Sequence, residues 1–178
     1  MKIVVIGSPG SGKSTFAGTA GGLLHLPVHH LDAFYWKPGW VETPKEEWLE
    51  FTKQLVSEDS WIIDGHYGST LELRMQAADV IVYFDLSPWV TTYRVIKRRI
   101  RYHGKTRPDL NEGCPESIDW AFVKYGWRFR QDRRPAILEK IGRLPSDKTV
   151  IILRSRAEVR RLLERIRQRG AEGLADSP

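Results

Sequence analysis

Residues 7–14 read GSPGSGKS and match the pattern G-x-x-x-x-G-K-[ST] at every fixed position. Glycines at those places let successive backbone N–H groups curl around a chain of phosphates. Lys13 is placed to reach the β- and γ-phosphates, and the Ser14 hydroxyl to ligate Mg²⁺. The apolar run Ile3-Val4-Val5-Ile6 precedes the motif, and a helix is expected after it, whose N-terminus presents a positive dipole end. Gly7, Ser8, Pro9, Gly10, Ser11, Gly12, Lys13, Ser14 and Thr15 are therefore the candidate site for ATP with Mg²⁺.

Phosphoryl transfer needs more than a cradle: an acid on the metal side, cations around the moving phosphoryl group, and a group that orients the acceptor. Two acids end strand-like runs, Asp64 in WIIDG and Asp85 in VIVYFD, and spacing alone does not separate them. Asp64 is preferred, as a metal and substrate residue, because Gly65 permits close backbone approach at the carboxyl end of its strand. Asp85 is expected to cap a helix or to be structural. Asp32, in HHLD, is the candidate to take a proton from an acceptor hydroxyl or to hold a Mg²⁺-bound water. The aromatics after it, Phe34, Tyr35, Trp36 and Trp40, either stack on a ring of the acceptor or pack their loop onto the core. His25, His29 and His30 lack zinc-like spacing, so no metal other than Mg²⁺ is expected.

Strand-like runs alternate with helical periodicity along all 178 residues. The expected strands are residues 2–6, 27–31, 61–64, 80–85 and 149–153, rich in Val and Ile and apolar on both faces. TPKE at residues 43–46 reads as a capping box with proline in the first turn, followed by Trp48, Phe51 and Leu55 on one face. Ser87-Pro88 starts another helix, with Trp89, Tyr93, Ile96 and Ile100 as its expected inward stripe. Ile118, Phe122, Tyr125 and Phe129 repeat that spacing, and Val159, Leu162, Leu163 and Ile166 mark the last helix. The expectation is a three-layer α/β domain over residues 1–170, with a five-stranded parallel sheet in the order 2-3-1-4-5 and helices on both faces. Residues 171–178 are expected to form a flexible tail.

Between two arginine-rich helices lies GKTRPDLNEGCP, punctuated by glycine and proline, which reads as a lid over the phosphates at about residues 103–117. Arg98, Arg101, Arg128, Arg130, Arg133 and Arg134 flank it. Arg98 and Arg128 are the two expected to close on the transferring phosphoryl group, provided that the apolar stripes point inward. The net charge is +6, and such density draws polyanions: nucleotide phosphates or a nucleic-acid backbone. The single cysteine, Cys114, rules out an intramolecular disulfide framework and suits a reducing compartment, so a cytoplasmic, membrane-free protein is expected.

Four stretches together resemble a known family: GSPGSGKS, HLDAFYWKPGW, WIIDGHYGSTLELR and RVIKRRIRYHGKTRPDLNEGCPESIDW. They are similar to the DNA topology modulation proteins, within the adenylate-kinase-like group of small P-loop kinases. One departure is His66, where that family is expected to have Asn after Asp64-Gly65; Tyr67 still matches. The resemblance implies a nucleotide-kinase-like fold, Asp64, Gly65 and Tyr67 near the metal and substrate, and Arg74 near the phosphates. It also implies that the segment after Leu153, beginning with Arg154, passes the adenine ring. The expected activity is Mg-dependent transfer of the γ-phosphoryl of ATP to a small acceptor, for instance a nucleoside or nucleotide. The alternative is an ATP-switched nucleic-acid-binding protein that affects DNA topology.

Overall fold

The computed structural model describes residues 1–102, 113–114 and 120–175. The expected lid at about residues 103–117 therefore lies outside the described residues, except for Gly113 and Cys114.

Five short β-branched runs form one parallel sheet: β1 (Lys2–Gly7), β2 (Val28–His30), β5 (Trp61–Asp64), β6 (Val80–Phe84) and β7 (Thr149–Leu153). Their order is β2-β5-β1-β6-β7, which is 2-3-1-4-5 counting only the strands of this sheet. A two-residue pair, β3 (Trp36–Lys37) and β4 (Val41–Glu42), makes a separate antiparallel hairpin. Side chains alternate across each strand, and β1 shows it: Ile3 and Val5 join one core cluster, Val4 and Ile6 the other. The first cluster is closed by α1 (Lys13–Leu24), α7 (Arg156–Arg169) and a 3₁₀ turn (Gly170–Leu174). The second is closed by α3 (Lys45–Ser57), α4 (Leu71–Ala77) and α6 (Trp120–Gly142). Two helices complete the chain, α2 (Leu31–Tyr35) and α5 (Pro88–Arg101), the latter packed along α6. No helix among the described residues is long and apolar enough to cross a membrane.

Three local expectations are corrected. Pro44, not Thr43, is the N-cap of α3, without a side-chain capping bond. The buried Thr43 hydroxyl instead donates to Tyr35 O (2.7 Å), tying the hairpin to α2. A capping box occurs at α7, where Ser155 Oγ accepts from Glu158 N and the Glu158 carboxylate accepts from Arg154 N (2.7 Å). The chain after Gly170 is not frayed through its length, because Leu174 is buried against α1 and α7.

The stripe of α5 is reversed. Trp89, Tyr93 and Ile100 are 74%, 65% and 65% exposed, while Thr91, Val95 and Arg99 are buried. The reason lies in what this helix covers: its inner face crosses the glycine loop after β1, so it carries cations and small residues where an apolar face would strip a polar loop of partners.

Candidate active site

The glycine loop leaves β1 and runs straight into α1. Gly12 is the N-cap with φ 94°, a left-handed conformation that aims the first-turn N–H groups of α1 along the loop. Gly10 has φ 75°, and a Cβ there would collide with Thr91 O of α5. That close approach lets Arg94 brace the loop, donating to Ser11 O at 3.0 Å and to Gly10 O at 3.4 Å. The loop opens into a cavity of about 880 Å³, lined by Gly12, Lys13, Ser14 and Thr15 on one side and Arg156 and Arg160 of α7 on the other.

Beyond Lys13 lies a second cavity, of about 890 Å³. Asp32 and Tyr67 form one wall, Trp36 and Trp40 of the hairpin another, and Tyr125 and Arg133 of α6 a third. The Tyr67 hydroxyl donates to Asp32 Oδ1 at 2.7 Å. Burial first, and the Asp32 charge second, push the Tyr67 pKa up, so the phenol remains a donor and fixes the carboxylate. His66 also lines this cavity, edge-on to Phe129 with centroids 4.7 Å apart. Burial pulls its pKa down to about 3, helped by the charges of Arg74, Lys13 and Arg133, so the imidazole is neutral at pH 7. Lys13 and Arg98 line both cavities.

The two strand-end acids are distinguished by their partners. Asp85 is buried and holds Arg130 Nε at 3.1 Å and Arg134 Nε at 3.0 Å, clamping α6 to the end of β6. It is structural and caps nothing, since Ser87 is the N-cap of α5. Asp64 pairs in register with Val5, next to the strand that feeds the loop. The His30 ring donates to its Oδ2 at 2.9 Å, while Oδ1 is buried with no hydrogen-bond partner among the described residues. An ionised oxygen left so is costly unless a cation or its water meets it. No group of three His, Cys, Asp or Glu among the described residues can hold a metal. Mg²⁺ takes one or two protein oxygens and completes its shell with phosphates and water. The oxygens present for it are the Ser14 hydroxyl in the loop cavity and the buried Asp64 Oδ1, whose residue lines neither cavity but whose partner His30 lines the loop cavity.

The remaining expected residues fall in other places. Arg74 is fully buried and faces neither cavity: it donates to Gly65 O (2.8 Å), His66 O (3.1 Å) and Tyr67 O (2.9 Å). Its guanidinium is spent on holding the loop that presents His66 and Tyr67, rather than on phosphate. Burial lowers its pKa to about 9 against the opposing pull of Asp64. Arg128 is half-exposed beside Asp132 at 3.4 Å and lines neither cavity. Arg154 is exposed, and Arg156 and Arg160 take the place by the loop cavity expected for it. Phe34 packs on Phe51 (4.9 Å) and Tyr35 against Trp48 and Tyr67 (5.0 and 4.5 Å), so these two hold the loop while Trp36 faces the cavity. The sequence reading did not single out Arg94; the signal for it is its place one turn before Arg98 on the same helix face.

No family model matches the sequence, and no curated protein matches it significantly. Solved structures do. A gluconokinase from Sinorhizobium meliloti is 16% identical with TM-score 0.50, over 98% of this chain and 91% of that one. An uncharacterized protein from Eubacterium ventriosum is 14% identical with TM-score 0.51, over 96% and 98%. At that identity the likeness is one of fold: this chain shares the three-layer α/β architecture of these structures, a parallel five-stranded sheet between helices.

Proposed function

We propose that the chain is an ATP-dependent phosphotransferase with a small-molecule acceptor. The observation that carries this is the sharing of Lys13 and Arg98 between two cavities of similar size, one over the glycine loop and one beside Asp32. A cradle alone binds a nucleotide; a second chamber reached past the same two cations provides for transfer.

ATP lies with its phosphates along residues 10–15 and its terminal phosphoryl at Lys13 and Arg98. Ser14 and Asp64 would hold Mg²⁺, which would supply charge neutralisation on the phosphate oxygens. In the second cavity Asp32, fixed by Tyr67, accepts the proton as an acceptor hydroxyl attacks. One O–P bond forms to the acceptor, the bond from Pγ to the bridging oxygen breaks, and ADP leaves. Lys13 and Arg98 stabilise the charge on the equatorial oxygens as the group passes between the chambers. The shared fold with a gluconokinase supports a small hydroxyl-bearing acceptor, and the resemblance to the topology modulation proteins supports the adenylate-kinase-like group.

The test is transfer of labelled γ-phosphate to a panel of nucleosides, nucleotides and sugar acids. Lys13→Ala loses transfer and weakens ATP binding, whereas Asp32→Asn loses transfer and keeps ATP binding by calorimetry. Absence of transfer to every member of the panel, or loss of ATP binding in Asp32→Asn, overturns this reading.

A further inference from the structure

The wall of the acceptor cavity holds one polar ring that phosphoryl transfer, as derived from Asp32, Lys13 and Arg98, leaves unused. The chain leaving β5 turns at Gly65, where φ is 142° and a Cβ would lie 2.9 Å from the Leu31 Cβ. The next residue, His66, enters the cavity wall. Arg74 fixes this turn from behind through the carbonyls of Gly65, His66 and Tyr67. Phe129 of α6 meets the imidazole edge-on at 4.7 Å. Backbone and ring are thus both held in place.

What the ring lacks is a hydrogen bond. Nδ1 is closed off from solvent and has no hydrogen-bond partner among the described residues. Nε2 makes no hydrogen bond to them either, and the ring lines the cavity beside Asp32 but not the loop cavity. Burial, with the charges of Arg74, Lys13 and Arg133, keeps the imidazole neutral at pH 7. A neutral imidazole carries one N–H and one lone pair. A sealed lone pair among cations is tolerated better than a sealed N–H, so the proton belongs on Nε2. The cavity is therefore offered an uncharged donor, rigidly held and unmatched within the fold, and such a group is costly until a ligand oxygen meets it. The oxygen that attacks phosphorus needs its lone pair for the new bond, so this donor serves a different oxygen of the same molecule.

We propose that His66 is a specificity residue of the acceptor chamber, donating from Nε2 to a hydroxyl oxygen other than the one phosphorylated, so that the acceptor is a polyhydroxy molecule. This rests on the reading of the cavity beside Asp32 as the acceptor chamber. In the test, adenosine and gluconate, each beside its singly deoxygenated analogues, are offered with MgATP to wild type, His66→Asn and His66→Phe. In wild type, loss of one particular hydroxyl lowers kcat/KM about tenfold or more, because the analogue strands the donor. His66→Phe keeps a ring against Phe129 but has no donor, so it uses parent and analogue equally while its KM for ATP stays as in wild type. His66→Asn, which retains an N–H, keeps part of the preference. With no hydrogen bond to lose, His66→Phe melts within about 2 °C of wild type at pH 7, whereas a merely structural imidazole would cost more. Equal use of parents and analogues by wild type, an undiminished preference in His66→Phe, a larger fall in melting temperature, or transfer to neither probe overturns the inference. ATP binding without transfer to any nucleoside, nucleotide or sugar acid defeats the functional reading as well; transfer with the preference intact in His66→Phe defeats only this inference.

Discussion

Arg74→Met isolates the support of the acceptor chamber from the chamber itself. The guanidinium makes three bonds, at 2.8, 2.9 and 3.1 Å, to three successive carbonyls, Gly65, Tyr67 and His66. Each hydrogen bond from a charged donor contributes about 1.5–3 kcal/mol. Removing the buried cation returns part of its desolvation cost, and the loop relaxes toward water. The net loss is therefore about 3–5 kcal/mol, the range for breaking a buried charged contact. In a chain of 178 residues that lowers the melting temperature by roughly 6–20 °C. Because this loop carries Tyr67, the 2.7 Å bond to Asp32 loosens, and the acceptor KM rises while ATP affinity stays as in wild type. Arg74→Lys, with one donor centre in place of the guanidinium fork, recovers only part of the stability. Thermal melts, calorimetry with ATP and acceptor kinetics read the three effects. A melting temperature within about 2 °C of wild type would refute the bracing role. So would ATP affinity falling in step with acceptor affinity.

His66 makes stability depend on acid. Its folded pKa, about 3, lies below the ordinary 6.5, so the unfolded chain takes up the proton first. The stability it confers is complete above pH 6.5 and drains away as pH falls toward 3, by about 5 kcal/mol at most. Urea titrations at several pH values check this, and His66→Asn should flatten the decline; an equal slope in both proteins would dispose of it. Asp85→Asn removes the charge that clamps α6, and because Arg130 and Arg134 remain partly solvated the cost is about 2 kcal/mol. A denaturation midpoint equal to wild type would show that the clamp is idle.

Much of the architecture was legible because the central strands β1, β5 and β6 are buried on both faces, and such strands, like β7 at the edge, announce themselves as short β-branched runs. The expected residues 61–64 and 149–153 coincide with β5 and β7. Helix orientation was legible only where one face met an apolar neighbour, as in α7, whose Leu162 and Ile166 are buried. It failed at α5, because periodicity reports an apolar stripe and not which side faces a phosphate loop. The same ambiguity separates Arg98, which reaches the cavities, from Arg128, which does not, though both followed from one premise. Arg74 defeated the reading differently: an arginine in a phosphate enzyme invites a phosphate, and only the fold shows three carbonyls claiming it first.

Placement also changes the meaning of the charge. As a total, +6 attracts any polyanion, a nucleic-acid backbone included. Distributed in the fold, several of the described arginines are turned toward the two cavities or the elements that frame them. Arg94 braces the glycine loop, Arg98 stands between the cavities, and Arg99 is buried in the acceptor wall. Arg130 and Arg134 are held by Asp85, Arg133 lines the acceptor chamber, and Arg156 and Arg160 line the loop cavity. A groove for a polymer would carry its cations along an open face; here they converge from three helices on two neighbouring chambers. Convergence of that kind matches a ligand whose charge is concentrated on a few adjoining phosphates, and it is the physical reason to look for the partner of this protein among small molecules.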